Sequence, residues 1–411
     1  MSVLRTSTIL LNPTVGDETQ LQELAGASSI LWNTANYERR KAFFEHTKIQ
    51  AYSAQCKSLK ATDAFKILGT CKAQALLSKL DECWRSFWAL MRLKKKGQLP
   101  LHVKKVSPPN YWKENGKRVV RCFYVRNDGW SLNDTTISLS KNLKIPYNCG
   151  QLWVGKQGRL EVLKDNGSSK WYAYIPVEVQ QPLCRTSQKK ASLDIGICNL
   201  TALYIQGERP IVYSGRAVLS DWIYKTKKIA EKQGKLAKRR YTSKEISTAF
   251  RSRQRRLRHA INSMLRSIFE ILKSKGVSEL FIGDLMHIRD EANYGDKVNQ
   301  KLHNFWVFNM IAGRIYELGE EYGITVTKVS ERDTSKTCCL CNKMHNGRIN
   351  RGLMVCREAH QSVNADVNGA VNIMKVAVKR PLSVLSTLEG ASGSRLMTEP
   401  LLLRWNYNEW R

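Results

Sequence analysis

Between Ala191 and about residue 375 the apolar residues change period in an order that few folds accommodate. Strand-like runs at 191–195, 201–205 and 210–214 come first. A long basic helical stretch over about 217–275 follows. Then come a strand at 278–283, a helix at about 301–322, a strand at 324–330 and a last helix beginning near Val367. A cysteine-rich segment interrupts the order just before that helix. Setting it aside leaves β-β-β-α-β-α-β-α, one α/β domain.

That element order is the one expected of an RNase H-like domain. The upstream chain reads differently. Residues 1–17 suggest a strand and a turn, and Thr19 to about Gln50 a helix carrying Leu21, Leu24, Ser28, Leu31 and Ala35 on one face. A second helix has Leu77, Leu80, Trp84, Phe87, Trp88 and Met91 at three- and four-residue steps. It ends in the basic run 92–97, with Pro100 beyond as a stop signal. The two tryptophans could stack on bases, but their helical spacing favours the core. From about Val119 the period is that of strands, at 119–125, 135–139, 150–154, 159–163 and 171–179. Asp165-Asn166-Gly167 serves as a hairpin turn between the last two. The polar segment 184–190 reads as a linker. The tail 381–411, Ser/Gly-rich and then aromatic with Trp405, Tyr407 and Trp410, suggests no role.

The chain has 411 residues, enough for two or three domains. Lys plus Arg number 67 against 35 Asp plus Glu, a net charge of +32. So much like charge repels itself unless a polyanion is bound, and nucleic acid is the polyanion at hand. Eleven cysteines, with no signal-peptide pattern at the N-terminus and no apolar run long enough to span a membrane, predict a reducing intracellular compartment and no membrane partner.

Three sets of residues carry chemistry. Asp194 sits in Leu193-Asp-Ile-Gly196, a charge inside an apolar first strand. Such a carboxylate needs a partner or a metal, unless it is an ordinary turn residue. Asp366 precedes the last helix, where it can be both N-cap and metal ligand. Cys338-x-x-Cys341 and Cys356-x-x-x-His360 have the spacing of a structural zinc site, with His345 and Cys339 as rival fourth ligands. Lys235, Lys238, Arg239 and Arg240 precede Arg251, Arg255 and Arg258, which share a helical face with few acidic neighbours. Lys94, Lys95, Lys96, Lys104 and Lys105 form a second basic set. Both sets fit phosphate neutralisation.

Four stretches together resemble the RuvC nucleases of the TnpB family, transposon-encoded relatives of type V CRISPR effectors and of Fanzor proteins. They are Leu193-Asp-Ile-Gly196, Leu280-Phe-Ile-Gly-Asp-Leu285, Glu331-Arg-Asp-Thr-Ser-Lys-Thr-Cys338-Cys-Leu-Cys341 and Asn364-Ala-Asp-Val-Asn-Gly-Ala-Val-Asn-Ile373. Their order and spacing match over roughly residues 191–375. One departure matters: where many members have a Glu in the second stretch, this chain has Gly283, and Asp284 would point to the other face of the strand. Variant members place a Glu directly before the Thr-Ser-Lys-Thr-Cys run, as Glu331 is here.

The resemblance therefore implies a rearranged triad of Asp194, Glu331 and Asp366 holding two Mg²⁺ ions for phosphodiester hydrolysis, with one structural Zn²⁺ on Cys338, Cys341, Cys356 and His360. It implies an α/β RNase H-like (RuvC) nuclease domain in two parts, 186–332 and 363–380, around a zinc-binding module at 333–362 that loads target nucleic acid. Ahead of them it implies a first wedge strand at 1–18, a helical recognition domain at 19–105 and a β-rich, barrel-like wedge domain at 106–185. The implied partners are a guide RNA from the transposon end and a double-stranded DNA target cut beside a short adjacent motif. Monomer and dimer both stay open. The implied location is the cytoplasm of a prokaryotic cell, at the nucleoid, or the nucleus of a eukaryotic host. Rival readings are a non-cleaving RNA-guided repressor, which Gly283 permits, an RNA-independent nuclease or transposase accessory protein, and a CRISPR effector.

Overall fold

The computed structural model describes residues 2–114, 116–120, 122–150, 152–165, 167–180, 182, 187–237, 242–284, 308–344, 348–349, 352–378 and 399–411. The chain divides into two compact units, Met1–Gln180 and Gln181–Arg411. The boundary falls just ahead of the polar segment read as a linker.

The first unit opens with strand β1 (Ser2–Leu11), followed by helices α1 (Val15–Phe44), α2 (Tyr52–Ser58) and α3 (Asp63–Lys95). Thr14 caps α1 through a capping box with Asp17, which starts the helix four residues before the apolar pattern does. Gly69, with φ +71°, kinks α3. A small hairpin, β2 (Lys113–Glu114) and β3 (Lys117–Arg118), leads into β4 (Cys122–Val125), β5 (Ser131–Leu132), β6 (Thr136–Ser140), β7 (Leu143–Asn148), β8 (Lys156–Gln157), β9 (Leu160–Asp165) and β10 (Lys170–Gln180). The sheet runs β4-β9-β10-β1-β7-β6-β5, with β8 on β10. Its pairs are antiparallel, and β1 meets β10 along its whole length.

Two expectations change here. The strand expected at 150–154 is instead β7, where Leu143 and Ile145 alternate inward. Trp153 lies in the loop beyond, its backbone N–H donating to Ser7 Oγ at 3.0 Å. The helices and strands are also not separate domains. Leu21 and Ala25 of α1 pack into the sheet's core, and Cys122 and Tyr124 of β4 pack among the helices. Trp84 is core, its indole N–H donating to Asn36 Oδ1 at 3.1 Å, whereas Trp88 is exposed at the surface.

The second unit is built on a six-stranded sheet. Its strands are β11 (Lys190–Ile195), β12 (Asn199–Ile205), β13 (Ile211–Ser214), β14 (Glu279–Gly283), β15 (Thr325–Val329) and β19 (Leu401–Arg404), in the order β15-β14-β11-β12-β13-β19. β11–β13 form an antiparallel meander, while β14, β15 and β19 join in parallel. The basic helical stretch is two helices, α4 (Arg216–Gly234) and α5 (Lys244–Ser274). Ser243 caps α5 by accepting from the Ile246 N–H. Helix α6 (Phe308–Tyr322) follows β14, and helix α7 (Ala365–Val378) is the last helix among the described residues, ahead of β19.

Alternation along β11 assigns the two faces. Ala191, Leu193 and Ile195 join the core shared with α5 and α6. Ser192 turns toward α7, where its hydroxyl donates to Ala370 O at 2.6 Å. Asp194 lies on that same face. Of the tail, which suggested no role in the sequence, the described residues 399–411 are structural: β19 pairs with β13, Trp405 is buried in the core, and Trp410 Nε1 donates to Ala260 O at 3.1 Å. Between β15 and α7 a small antiparallel sheet holds β16 (Arg348–Ile349), β17 (Leu353–Cys356) and β18 (Gln361–Asn364). No helix among the described residues is long and apolar enough to cross a membrane.

Candidate metal centres and basic surface

Asp194 and Glu331 come close enough to influence each other's charge, and Asp366 stands in the first turn of α7, the helix that packs on Asp194. Asp194 projects from β11 onto Gly369 of α7. A Cβ at position 369 would lie 2.3 Å from Asp194 Oδ2, so only glycine lets the carboxylate rest there. One turn earlier on the same helix, Asp366 accepts a 2.6 Å hydrogen bond from Asn199 Nδ2 at the start of β12. Asn364 caps the helix, its Oδ1 accepting from the N–H groups of Asp366 and Val367 at 3.1 and 3.2 Å.

Glu331 arrives from the loop after β15. Its side chain lies across β14 and takes the space a side chain at Gly283 would need. A Cβ there would stand 1.4 Å from Glu331 Oε1 and 2.1 Å from its Cδ. In the parallel register Leu193 pairs with Ile282, so Gly283 and Asp194 are level one step beyond. The Glu331 carboxyl, from the loop after β15, therefore occupies the space beside Gly283 on the strand next to β11. Asp284 has its own backbone anchor to Val329 O and pairs with Lys328 at 3.7 Å.

The Glu331 carboxyl is poorly solvated. Burial pushes the Glu331 carboxyl up to about 8, and the charges of Asp194 and Asp284 add to the shift. Its Oε1 is buried with no hydrogen-bond partner among the described residues. A desolvated carboxylate beside a second one is costly as it stands. Hard divalent ions such as Mg²⁺ take oxygen ligands and remove that cost, so the donor set fits.

In the inserted module, Cys338, Cys341 and Cys356 bring their sulfurs within 4.8 Å of one another. The turn after Cys338 is closed by Asn342 N–H to Cys338 O and Cys338 N–H to Lys343 O, both 2.9 Å. Burial pushes the Cys338 thiol up to about 11. Cys356 is held below its usual value: burial opposes this, but the Ala359 N–H at 3.3 Å from its sulfur, the Cys341 and Cys338 thiols and the Glu358 N–H together outweigh it. Converging sulfurs with N–H donors aimed at them suit Zn²⁺, which binds thiolates. His360, expected as the fourth ligand, sits in the β17–β18 turn with φ +50° and is not in that close group. Of the rivals, His345 lies outside the described residues. Cys339 is buried, and burial raises its thiol to about 12; it too is outside the group.

Of the basic residues, Arg255, Arg258 and Lys235 are exposed and Arg251 half-buried. Lys238, Arg239 and Arg240 lie outside the described residues. Arg255 and Arg258 make no ion pair among the described residues. Their neighbours are committed elsewhere: Arg256 holds Asp221 at 2.8 Å, and Arg253 packs over Trp222 and donates to Thr226 Oγ1. In the first unit Lys94, Lys95 and Lys96 end α3 exposed, and Lys104 and Lys105 are exposed in the loop beyond. The sequence reading missed Gly369, Asn199 and the polar stripe of α7. The signal for the stripe was present, since Asn368, Asn372 and Lys375 recur at helical spacing in an otherwise apolar segment.

Comparison with known proteins places the chain in a family. Residues 174–289 match the model of a probable transposase, OrfB of the IS605 type, and residues 308–373 match the TNB domain of Cas12f1-like proteins. The fold resembles a Cas12f1–sgRNA–target DNA complex, with a TM-score of 0.53 at 12% identity over 90% of this chain and 98% of that one. It also resembles CasPhi-2 bound to crRNA, with a TM-score of 0.50 at 10% identity over 92% and 98%. The CRISPR-associated endodeoxyribonuclease Cas12f1 of Sulfoacidibacillus thermotolerans is 29% identical over 26% of this chain and 24% of its own length. The TnpB-like protein ORF457 of Acidianus two-tailed virus is 31% identical over 93% of this chain and 90% of its own. With similarity at that level over 93% of this chain, and with family matches over 174–289 and 308–373, the chain belongs to the TnpB family.

Proposed function

We propose that this protein is an RNA-guided DNA endonuclease with a single RuvC-type, RNase H-like centre formed by Asp194, Glu331 and Asp366. The observation that carries the reading is the Glu331 carboxyl standing where a side chain from Gly283 would be, on the sheet face shared with Asp194. A decayed centre has no reason to keep a buried, unpartnered carboxyl oxygen at that point.

Two Mg²⁺ ions bound there supply Lewis-acid activation of the attacking water and charge neutralisation at the leaving 3′ oxygen. The residues of this chain do the rest. Asp194 is fixed by its strand and by close contact with α7. Asn199 orients Asp366. Glu331, whose carboxyl burial raises to about 8, would serve as a ligand in its deprotonated form. The exposed arginines of α5 and the lysines after α3 neutralise phosphates without reading sequence, and guide pairing selects the target. Cys338, Cys341 and Cys356 would hold one structural Zn²⁺, and His360 would complete the set only by leaving the position it has in the β17–β18 turn.

The test is recovery of the protein from cells with sequencing of its bound RNA, followed by Mg²⁺-dependent cutting of a plasmid matched to that RNA. No enriched RNA, or no cutting of the matched plasmid, rejects the reading.

Two further outcomes are expected. The double replacement Arg255→Ala with Arg258→Ala weakens nucleic-acid binding for all sequences alike. It also flattens the plot of log affinity against log salt by about 0.7–0.9 per arginine, as a filter-binding series would measure. Cys356→Ser drops zinc from one ion per chain to near none by elemental analysis. A loss of ~2 kcal/mol there would lower the melting temperature by about 4–8 °C.

A further inference from the structure

One face of α7 ties the cysteine knuckle to the loop that carries Glu331. Asn368, Asn372 and Lys375 stand at i, i+4 and i+7, so they form one stripe along the helix. Asn372 Nδ2 donates to Thr334 O at 2.8 Å and to Thr337 O at 2.6 Å. Asn368 Nδ2 donates to Thr337 O at 2.8 Å, and its Oδ1 accepts from Cys339 N–H at 2.8 Å. Lys375 Nζ reaches Cys339 O and Asn342 Oδ1, the latter at 2.7 Å. The far end of the segment is fixed to Glu331 itself, since Thr334 N–H and Oγ1 donate to Glu331 O at 3.1 and 2.9 Å. Both asparagines, Thr334, Cys338 and Cys339 are buried. Every residue from 331 to 342 is therefore within a step or two of an anchor on the helix that carries Asp366 and cradles Asp194.

We propose that Asn368, Asn372 and Lys375 are positioning residues that couple the zinc knuckle to the nuclease centre, so that zinc occupancy sets the affinity of Asp194, Glu331 and Asp366 for divalent cations. The coupling is mechanical. Zinc fixes Cys338 and Cys341; Cys339 and Asn342 are held between them and the stripe; Thr337 and Thr334 pass the constraint to Glu331. Without zinc the knuckle is free to unwind from its end of the stripe, and Glu331 loses the backbone reference that lays it over Gly283. This rests on the metal-binding reading of the three carboxylates.

The test titrates Mn²⁺ into the full chain by calorimetry and by EPR at a temperature well below melting, with zinc content assayed in parallel. Asn372→Ala and Asn372→Asp, the latter isosteric but unable to donate, are expected to retain one zinc and bind Mn²⁺ about 10- to 100-fold more weakly, the usual size of an outer-shell effect. Cys341→Ser, which removes zinc without touching a carboxylate, is expected to weaken Mn²⁺ binding by a similar factor. Lys375→Met falls between. Zinc-free Cys341→Ser binding Mn²⁺ as tightly as wild type overturns the coupling, as do Asn372 variants that melt lower yet bind Mn²⁺ normally. Should Cys341→Ser fail to fold, the Asn372 and Lys375 variants decide alone. If wild type itself shows no Mn²⁺ binding that Glu331→Gln abolishes, the nuclease-centre reading fails first and takes the coupling with it.

Discussion

Replacing Glu331 by alanine lowers the rate of guide-matched plasmid cutting by about a thousandfold, on the order of 4 kcal/mol of transition-state stabilisation, while guide and target binding persist. The site has no substitute within reach on β14, because Gly283 brings no side chain and Asp284 is paired with Lys328. Gly283→Ala should be nearly as damaging although it adds one methyl group. That methyl would overlap the Glu331 carboxyl, 1.4 Å from Oε1, and push it out of the site. The informative variant is the exchange of positions, Gly283→Glu with Glu331→Gly. It removes the overlap and returns a carboxylate to the same cavity from the strand itself. Its activity should exceed that of Gly283→Ala or Glu331→Ala by about tenfold or more, roughly 1.4 kcal/mol of transition-state stabilisation. Single-turnover cleavage at saturating guide reads all four proteins. Full activity in Glu331→Ala, or an exchange variant no better than the single ones, removes Glu331 from the centre.

The metal-free protein should lose stability as pH rises from about 5 to 8, and divalent cations should restore it. The sign follows from proton uptake. Burial, with Asp194 and Asp284 adding to it, holds the Glu331 carboxyl near 8 in the folded chain against an ordinary 4.5. Between those values the folded state binds more protons than the unfolded one, so raising pH favours unfolding. The full shift corresponds to, at most, on the order of 5 kcal/mol. Glu331→Gln, of the same shape but uncharged, should therefore be the more stable protein at pH 8 without metal and should lose the pH dependence. Wild type should overtake it when Mg²⁺ or Mn²⁺ is added. Denaturant melts at pH 5 and pH 8, with and without cation, make the comparison. A wild-type midpoint that ignores pH across this window, or a cation that stabilises the Gln variant equally, contradicts the assignment.

Much of the second unit was legible because its chemistry is local. An aspartate flanked by leucine and isoleucine marks a strand with a purpose. A Cys-x-x-Cys turn fixes its own geometry within four residues. The period change at each element carries the order β-β-β-α-β-α-β-α through to the sheet. The two-helix split near 234–244 was harder, since its basic composition is continuous and only the Ser243 cap marks the new start. The strand at Leu143–Asn148 was missed because the neighbouring Leu152 and Trp153 carry a stronger apolar signal. They use it to cover the core from a loop.

The sequence by itself determined which residue types were available: three separated carboxylates, four clustered cysteines, and a glycine where many members of the family have a Glu. It could do so because those are properties of single positions and short spacings. Only the tertiary structure decided that Glu331 lies over Gly283, that Gly369 makes room for Asp194, and that a stripe of amides binds the thiol turn to the acidic centre. Those relations join residues tens to hundreds of positions apart. Sheet register and close packing of α7 set them, and a one-residue slip in either would turn the same side chains to the opposite face.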